Sequence, residues 1–122
     1  MHLALVVDDI AFERRCVRTV LQDEGWAWVE AANGLQALCR IPLMSPHLLI
    51  TDLNMPVMDG RSLLRELRRR CIEVPTIVVT SERSSEMRSE CFDLGALAVL
   101  TKPWQPQRLI ELIRPLGNGQ CT

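Results

Sequence analysis

The chain has 122 residues, with 14 Lys or Arg against 15 Asp or Glu, and its formal net charge is −1. This length predicts one domain with a sizeable core, and the near-neutral charge argues against direct binding of nucleic acid or membrane. The five cysteines form no CxxC pair and no secretory or membrane-spanning segment is present, so the sequence favours a soluble cytoplasmic protein with reduced thiols.

The first two predicted elements are a buried strand and an amphipathic helix. Residues 3–7 are all apolar and predict a strand that ends on Asp8 and Asp9. Residues 10–24 carry apolar side chains at helical spacing, and Gly25 is a typical helix stop. Two carboxylates therefore follow the first strand directly.

A second strand and a second helix lead into the central strand. Residues 26–31 predict the strand, and the turn at Gly34 begins a short helix. Pro42 is expected to end that helix, because proline disrupts a helix interior. Residues 47–51 predict the third strand, because the short apolar run over residues 48–51 is typical of a strand buried on both faces, and it ends on Asp52.

The character of the chain changes immediately after Asp52. Pro56 bars an immediate helix, because the residue before a proline avoids the α region. Asp59 and Gly60 form a turn dipeptide, and residues 60–71 resume a helical pattern with leucines on one face. Asp52 is thereby held at the C-terminal end of a central strand, where open α/β sheets place their ligands, and it is the candidate reactive group.

The remaining elements repeat the alternation of strand and helix. Residues 76–80 predict the fourth strand, and Ser84 or Ser85 can cap the helix that follows. Residues 96–101 predict the fifth strand, and residues 105–116 the last helix. Alternating strands and helices predict a parallel sheet covered by helices on both faces. Right-handed crossovers bring all strand C-termini to one edge, which collects Asp8, Asp9, Asp52, Thr80 and Lys102.

The charges at this edge predict a divalent cation and an anionic ligand. Three acids and one lysine leave a charge of −2, which one Mg²⁺ would neutralise. Mg²⁺ prefers hard oxygen ligands and commonly completes its shell with a phosphate oxygen. A phosphoryl group is therefore a natural occupant, with Asp52 as its nucleophile and with Lys102 and Thr80 beside its oxygens. Single strand-end acids often cap helices, but five polar side chains at such ends are poorly explained by coincidence.

The chain resembles, from end to end, the receiver domain of bacterial two-component response regulators, such as the chemotaxis regulators. The resemblance rests on Asp8-Asp9, on the segment from Asp52 to Gly60, on Thr80-Ser81 and on Lys102-Pro103. It implies a flavodoxin-like, doubly wound fold with strand order 2-1-3-4-5. It also implies a single receiver domain over residues 1–117, and we expect a disordered tail over residues 118–122 and no effector domain.

The resemblance also implies a role for each site residue. Asp52 would accept a phosphoryl group from the phosphohistidine of a sensor kinase or of a histidine phosphotransfer protein. Mg²⁺ would be held by Asp8, Asp9, Asp52 and the backbone carbonyl of Asn54. Thr80 would move toward the phosphoryl group as the switch, and the Lys102–Pro103 bond would be cis. The domain would catalyse only its own phosphorylation and dephosphorylation.

Two further positions bear on the lifetime and output of the phosphorylated state. Asn54 and Glu82 occupy the positions that tune hydrolysis of the phosphoryl group in the family. Val99 stands where many receivers carry an aromatic residue that swings with the switch threonine. Output to an unknown downstream protein is expected through the surface of the fourth helix, fifth strand and fifth helix, without an aromatic gate.

Two alternative functions belong to other classes. A phosphatase of the haloacid dehalogenase type also uses an Asp nucleophile and Mg²⁺, but it needs an acid where this chain has Asn54. A scaffold receiver would bind partners without phosphoryl transfer, and usually lacks the acceptor, the acid pair or the lysine. This chain keeps all of them.

Overall fold

The computed structural model describes residues 2–118, over which five strands alternate with five helices. The strands are β1 (Leu3–Val7), β2 (Ala27–Ala31), β3 (Leu48–Thr51), β4 (Thr76–Thr80) and β5 (Ala98–Thr101). The helices are α1 (Ala11–Asp23), α2 (Gly34–Met44), α3 (Gly60–Arg69), α4 (Ser85–Asp93) and α5 (Pro106–Asn118). The predicted boundaries agree to within about two residues, although Pro42 does not end α2 as expected. The predicted tail over residues 118–122 lies outside the described residues, apart from the backbone of Asn118.

All strands of the sheet are parallel, in the order β2-β1-β3-β4-β5, which confirms the predicted fold and strand order. Val7 in β1 lies opposite Thr51 in β3, and Thr80 in β4 lies opposite Thr101 in β5. The C-termini of these strands therefore meet at one edge of the sheet. The Lys102–Pro103 peptide bond that follows β5 is cis, as the resemblance implied.

The sheet divides the hydrophobic core into two layers, because successive strand residues face opposite sides. One layer contains Leu5, Leu49 and Val99 and packs against α2, α3 and α4. The other contains Val6 and Ile50 and packs against α1 and α5. Since β1 and β3 are buried on both faces, the residues that end them have little freedom to move.

The prediction that Pro42 ends the second helix is wrong, because α2 continues to Met44. Pro42 removes one backbone donor, but only the last turn of the helix follows it. That turn is closed by the Ser45 N–H, which donates to the Ile41 carbonyl at 2.9 Å. Ser45 adopts a left-handed conformation that ends the helix there, and the burial of Ile41 anchors the turn on the core.

No helix within residues 2–118 has both the length and the apolar character needed to cross a membrane.

Candidate functional site

Lys102 joins the ends of β1 and β3 at the C-terminal edge of the sheet. Its Nζ donates to Asp8 Oδ2 at 2.9 Å and to Asp52 Oδ2 at 3.0 Å. Both acids are buried, with 6% and 7% of their surface exposed. Residues that lie 94 and 50 positions from the lysine in the chain thus form one polar cluster. The sequence predicted this cluster from strand-end positions alone.

The backbone around Asp52 holds its carboxylate in a fixed direction. The Asp52 N–H continues the sheet by donating to the Val7 carbonyl at 3.0 Å. The carboxylate Oδ1 accepts from the N–H groups of Leu53 at 2.6 Å and Asn54 at 3.4 Å. Oδ1 is therefore held by the backbone, while Oδ2 faces Lys102.

Gly60 allows helix α3 to begin directly against the backbone that follows β3. A Cβ atom at this position would lie 2.2 Å from the Asp52 carbonyl oxygen, which is too close for any other residue without a backbone shift. Asp59 caps the same helix, since its side chain accepts from the Ser62 N–H at 2.8 Å. The Asp59-Gly60 dipeptide thus serves both as a helix cap and as a close-packing point beside Asp52.

Burial and charge act in opposite directions on the ionisable groups of the cluster. Burial raises the pKa of Asp8, and the charge of Asp52 raises it further. The hydrogen bonds from the Ile10 N–H and from Lys102 lower it, but by less. Burial alone would lower the pKa of Lys102, but its contacts with Asp8 and Asp52 outweigh it and raise the pKa. Lys102 therefore stays charged between the two acids.

Asp8, Asp9 and Asp52 together offer a set of ligands suited to a divalent metal ion. Each contributes one carboxylate oxygen, and the three oxygens lie within 4.8 Å of one another. Asp9 is exposed, whereas the other two are buried, so the set opens toward solvent. Three hard oxygen donors with one neighbouring cation suit Mg²⁺, which keeps several waters of its own.

Thr80 and Val99 have different surroundings, although both are buried. Thr80 ends β4 and has no exposed surface, and its Oγ1 accepts from the Glu82 N–H at 3.2 Å. Val99 is 5% exposed and lies in the core layer that packs against α4. The structure therefore places Thr80 at the site edge and Val99 beneath it, inside β5.

Asn54 and Glu82 meet at the outer rim of the site. Asn54 Nδ2 donates to Glu82 Oε2 at 3.0 Å, which joins the loop after β3 to the loop after β4. Arg61 on α3 contacts both oxygens of the same carboxylate, at 3.0 and 3.1 Å. The hydrogen bonds from Arg61 and Asn54 lower the pKa of Glu82, and they outweigh burial, which alone would raise it. The sequence predicted Asn54 and Glu82 but not Arg61, because a charge partner from another helix leaves no spacing signal.

Arg14 is a second supporting residue that the sequence did not reveal. Its Nη1 donates to the Asp8 carbonyl at 2.6 Å, and its Nε donates to Glu30 Oε1 at 2.9 Å. This contact ties the backbone of Asp8 to α1 and to β2. The position of Asp8 thus depends on an ion pair as well as on the sheet.

Comparison with known proteins gives concordant matches in sequence and structure. A family model described as the response regulator receiver domain matches residues 4–114. Chemotaxis protein CheY of Bacillus subtilis is 34% identical over 118 residues, covering 96% of this chain and 98% of its own. By contrast, the chain spans 45% of the probable transcriptional regulator ycf27 of Porphyridium aerugineum, to which it is 36% identical.

Two of the solved structures that match illustrate the shared fold. The receiver domain of Francisella response regulator 1452 superposes with a TM-score of 0.91 at 29% identity, covering 98% of this chain and 99% of that one. Vibrio cholerae chemotaxis protein CheY4 gives a TM-score of 0.86 at 32% identity, covering 95% and 98% of the two chains.

Proposed function

The chain belongs to the response regulator receiver domain family, and from that membership we propose that Asp52 is its phosphoryl acceptor. The observation that carries this proposal is the contact of Asp52 Oδ2 with Lys102 at 3.0 Å, at the end of the central strand. Asp52 also contributes to a set of three carboxylates that suits a divalent cation. Of these three acids, only Asp52 both follows the central strand and contacts Lys102.

The donor in this proposal is the phosphohistidine of a sensor kinase or of a histidine phosphotransfer protein. An oxygen of Asp52 forms a bond to phosphorus as the phosphorus–nitrogen bond to the imidazole breaks. The Lys102 ammonium donates to Asp52 Oδ2 in the structure. After phosphorylation it would donate to a phosphoryl oxygen instead. We place this exchange in the cytoplasm, where such kinases present their phosphohistidine.

Mg²⁺ is the cofactor that fits this chemistry. Asp8, Asp9, Asp52 and the Asn54 backbone carbonyl would hold it, and when bound it would offset the negative charge of the phosphoryl oxygens. The residues of the chain supply the remaining functions, since Asp52 is the nucleophile and Lys102 and Thr80 bind phosphoryl oxygens. In this proposal the domain has no separate substrate and catalyses only its own phosphorylation and dephosphorylation.

The output of phosphorylation is proposed to run through Thr80 and the surface formed by α4, β5 and α5. Thr80 Oγ1 accepts from the Glu82 N–H, so a move of the hydroxyl toward the phosphoryl group releases the loop at Glu82. Val99 is β-branched, buried and stiff, and takes no part as a swinging gate. A downstream protein would therefore recognise the displaced loop and α4.

The phosphorylated state is proposed to be transient. The backbone of Asn54 contacts Asp52 and its side chain contacts Glu82, and both side chains can form hydrogen bonds with an incoming water. Neither side chain is bulky enough to exclude that water. A short-lived mark suits a rapid signal or onward relay to another histidine.

Phosphorylation with a small-molecule donor tests this function directly. Incubation with acetyl phosphate and Mg²⁺ should add one phosphoryl group by intact mass, and Asp52→Asn should remove the added mass. Asp23→Asn, at an exposed position near the end of α1, is the matched control and should be labelled like the parent. Chelation of the divalent cation should also prevent labelling.

Full labelling of Asp52→Asn would contradict the assignment of the acceptor. A parent chain that takes no label under any of these conditions would favour the scaffold alternative. The family assignment leaves the haloacid dehalogenase alternative without support.

A further inference from the structure

Arg61 connects the outer rim of the site to two helices. Its Nη2 and Nη1 donate to Oε1 and Oε2 of Glu82 at 3.0 and 3.1 Å, a two-point contact with one carboxylate. Its Nε donates to Glu90 Oε1 on α4 at 2.5 Å. The Arg61 side chain is only 22% exposed, so solvent screens these contacts less than it screens an ordinary surface pair.

The Glu82 residue held by Arg61 also contacts two residues of the proposed site. Its Oε2 accepts from Asn54 Nδ2 at 3.0 Å, and its backbone N–H donates to Thr80 Oγ1 at 3.2 Å. Asn54 in turn lies against the acceptor, because its N–H donates to Asp52 Oδ1. A continuous chain of contacts therefore runs from Arg61 through Glu82 and Asn54 to Asp52.

On the basis of the proposed function, we propose that Arg61 is a positioning residue for hydrolysis of the Asp52 phosphoryl group. It holds the Glu82 carboxylate, and through it the Asn54 amide, in one orientation beside the water that attacks phosphorus. The attack forms a bond from the water oxygen to phosphorus and breaks the phosphorus–oxygen bond to Asp52. The Asp52 carboxylate is regenerated, and both hydrogens of the water leave on inorganic phosphate.

The geometry of an arginine pair explains why this residue type matters. A guanidinium that binds both oxygens of a carboxylate fixes its plane as well as its distance, which a lysine ammonium cannot do. Without Arg61, the Glu82 side chain regains its rotamer freedom, and the Asn54 amide loses its fixed partner. A reaction that depends on an oriented water slows when its orienting groups become mobile.

Decay of the Asp52 phosphoryl group after donor removal, followed by intact mass, tests the inference. Arg61→Met should slow decay roughly threefold to tenfold, and Arg61→Lys should restore part of the rate. In a Glu82→Ala background, Arg61→Met should change the rate no further, because the residue acts through Glu82. Arg65→Met is the matched control, since Arg65 binds Glu90 but not Glu82, and its decay should equal that of the parent.

Each contrary result overturns the inference. An unchanged or faster decay in Arg61→Met would show that Arg61 does not orient the water. If Arg65→Met slowed decay equally, the effect would come from the contacts between α3 and α4 and not from the contact with Glu82. Further slowing in the double variant would show that Arg61 acts independently of Glu82. A parent chain that is never labelled would overturn the proposed function as well, and the Asp52→Asn comparison separates that failure from the others.

Discussion

Val57 adopts a backbone conformation that its side chain disfavours. It has a φ of 72°, and the Met58 N–H closes a tight turn on the Pro56 carbonyl at 2.8 Å. A hydrogen bond between residues two apart around a positive φ defines a γ-turn, which is strained for any side chain and most of all for a β-branched one. The Val57 side chain is 75% exposed, so burial does not offset this strain. The segment that follows Asp52 therefore has strain at its tip.

Replacing Val57 with Asn should relieve this strain and raise the free energy of unfolding by about 1 kcal/mol. Asn lacks the β-branch and adopts a positive φ more readily than valine, and little apolar burial is lost at an exposed position. Urea denaturation of the parent and the variant measures the difference. Val57→Ile keeps the β-branch and should show no gain. A loss of stability in Val57→Asn would mean that the valine side chain makes a contribution greater than the strain.

At the scale of elements, α1 and β2 are joined by an ion cluster that also supports the site. Glu30 on β2 binds Arg14 Nε at 2.9 Å and Arg18 Nη1 at 3.0 Å, both on α1. Partial burial alone would raise the pKa of Glu30, but the hydrogen bonds from the two arginines outweigh it and lower the pKa. Since Arg14 also donates to the Asp8 carbonyl, this cluster stabilises the loop that carries Asp8.

Glu30→Gln should lower the free energy of unfolding by about 1 kcal/mol at neutral pH. Because the folded-state pKa of Glu30 lies below its ordinary value of 4.5, its contribution is complete above that pH. The contribution is lost as the pH falls through the lowered pKa, so the two proteins should converge in acid. Urea denaturation across this range measures the difference, with Glu73→Gln at an exposed position as the control. A difference that is independent of pH would show that the charge of Glu30 is not responsible.

At the scale of the molecule, the loop that follows Thr80 is joined to α3 through Glu82, and α3 is joined to α4. Thr80 ends β4 next to β5, and Val99 lies in the core layer that packs against α3 and α4. Arg61 and Arg65 tie α3 to α4 through Glu90. The loop after β4 is also joined to the segment that follows β5, because Arg83 Nη2 donates to the Lys102 carbonyl at 2.8 Å. A switch at Thr80 should therefore act on the loop after β4 and on α4.

Beryllofluoride, which mimics the phosphoryl group, should shift amide resonances most strongly at Thr80, over residues 81–85 and in α4. The physical reason is that the Glu82 N–H loses its acceptor when the Thr80 hydroxyl turns to the ligand. Nuclear magnetic resonance with and without beryllofluoride measures these shifts. Asp52→Asn should show none of them. Changes confined to α1 and α2 would contradict the proposed route of output.

The sequence by itself determined the order of elements and the positions of the ionisable residues at the sheet edge. Apolar runs and turn residues are local signals, and parallel topology then brings Asp8, Asp52 and Lys102 together whatever the side-chain details. The expected end of α2 at Pro42 was wrong, since proline removes only one hydrogen bond near the helix terminus, while the buried Ile41 and the Ser45 N–H that donates to its carbonyl hold the last turn in place. Only the tertiary structure assigned Arg61 to Glu82, because long charged side chains choose partners by distance in space, across 21 residues of sequence here.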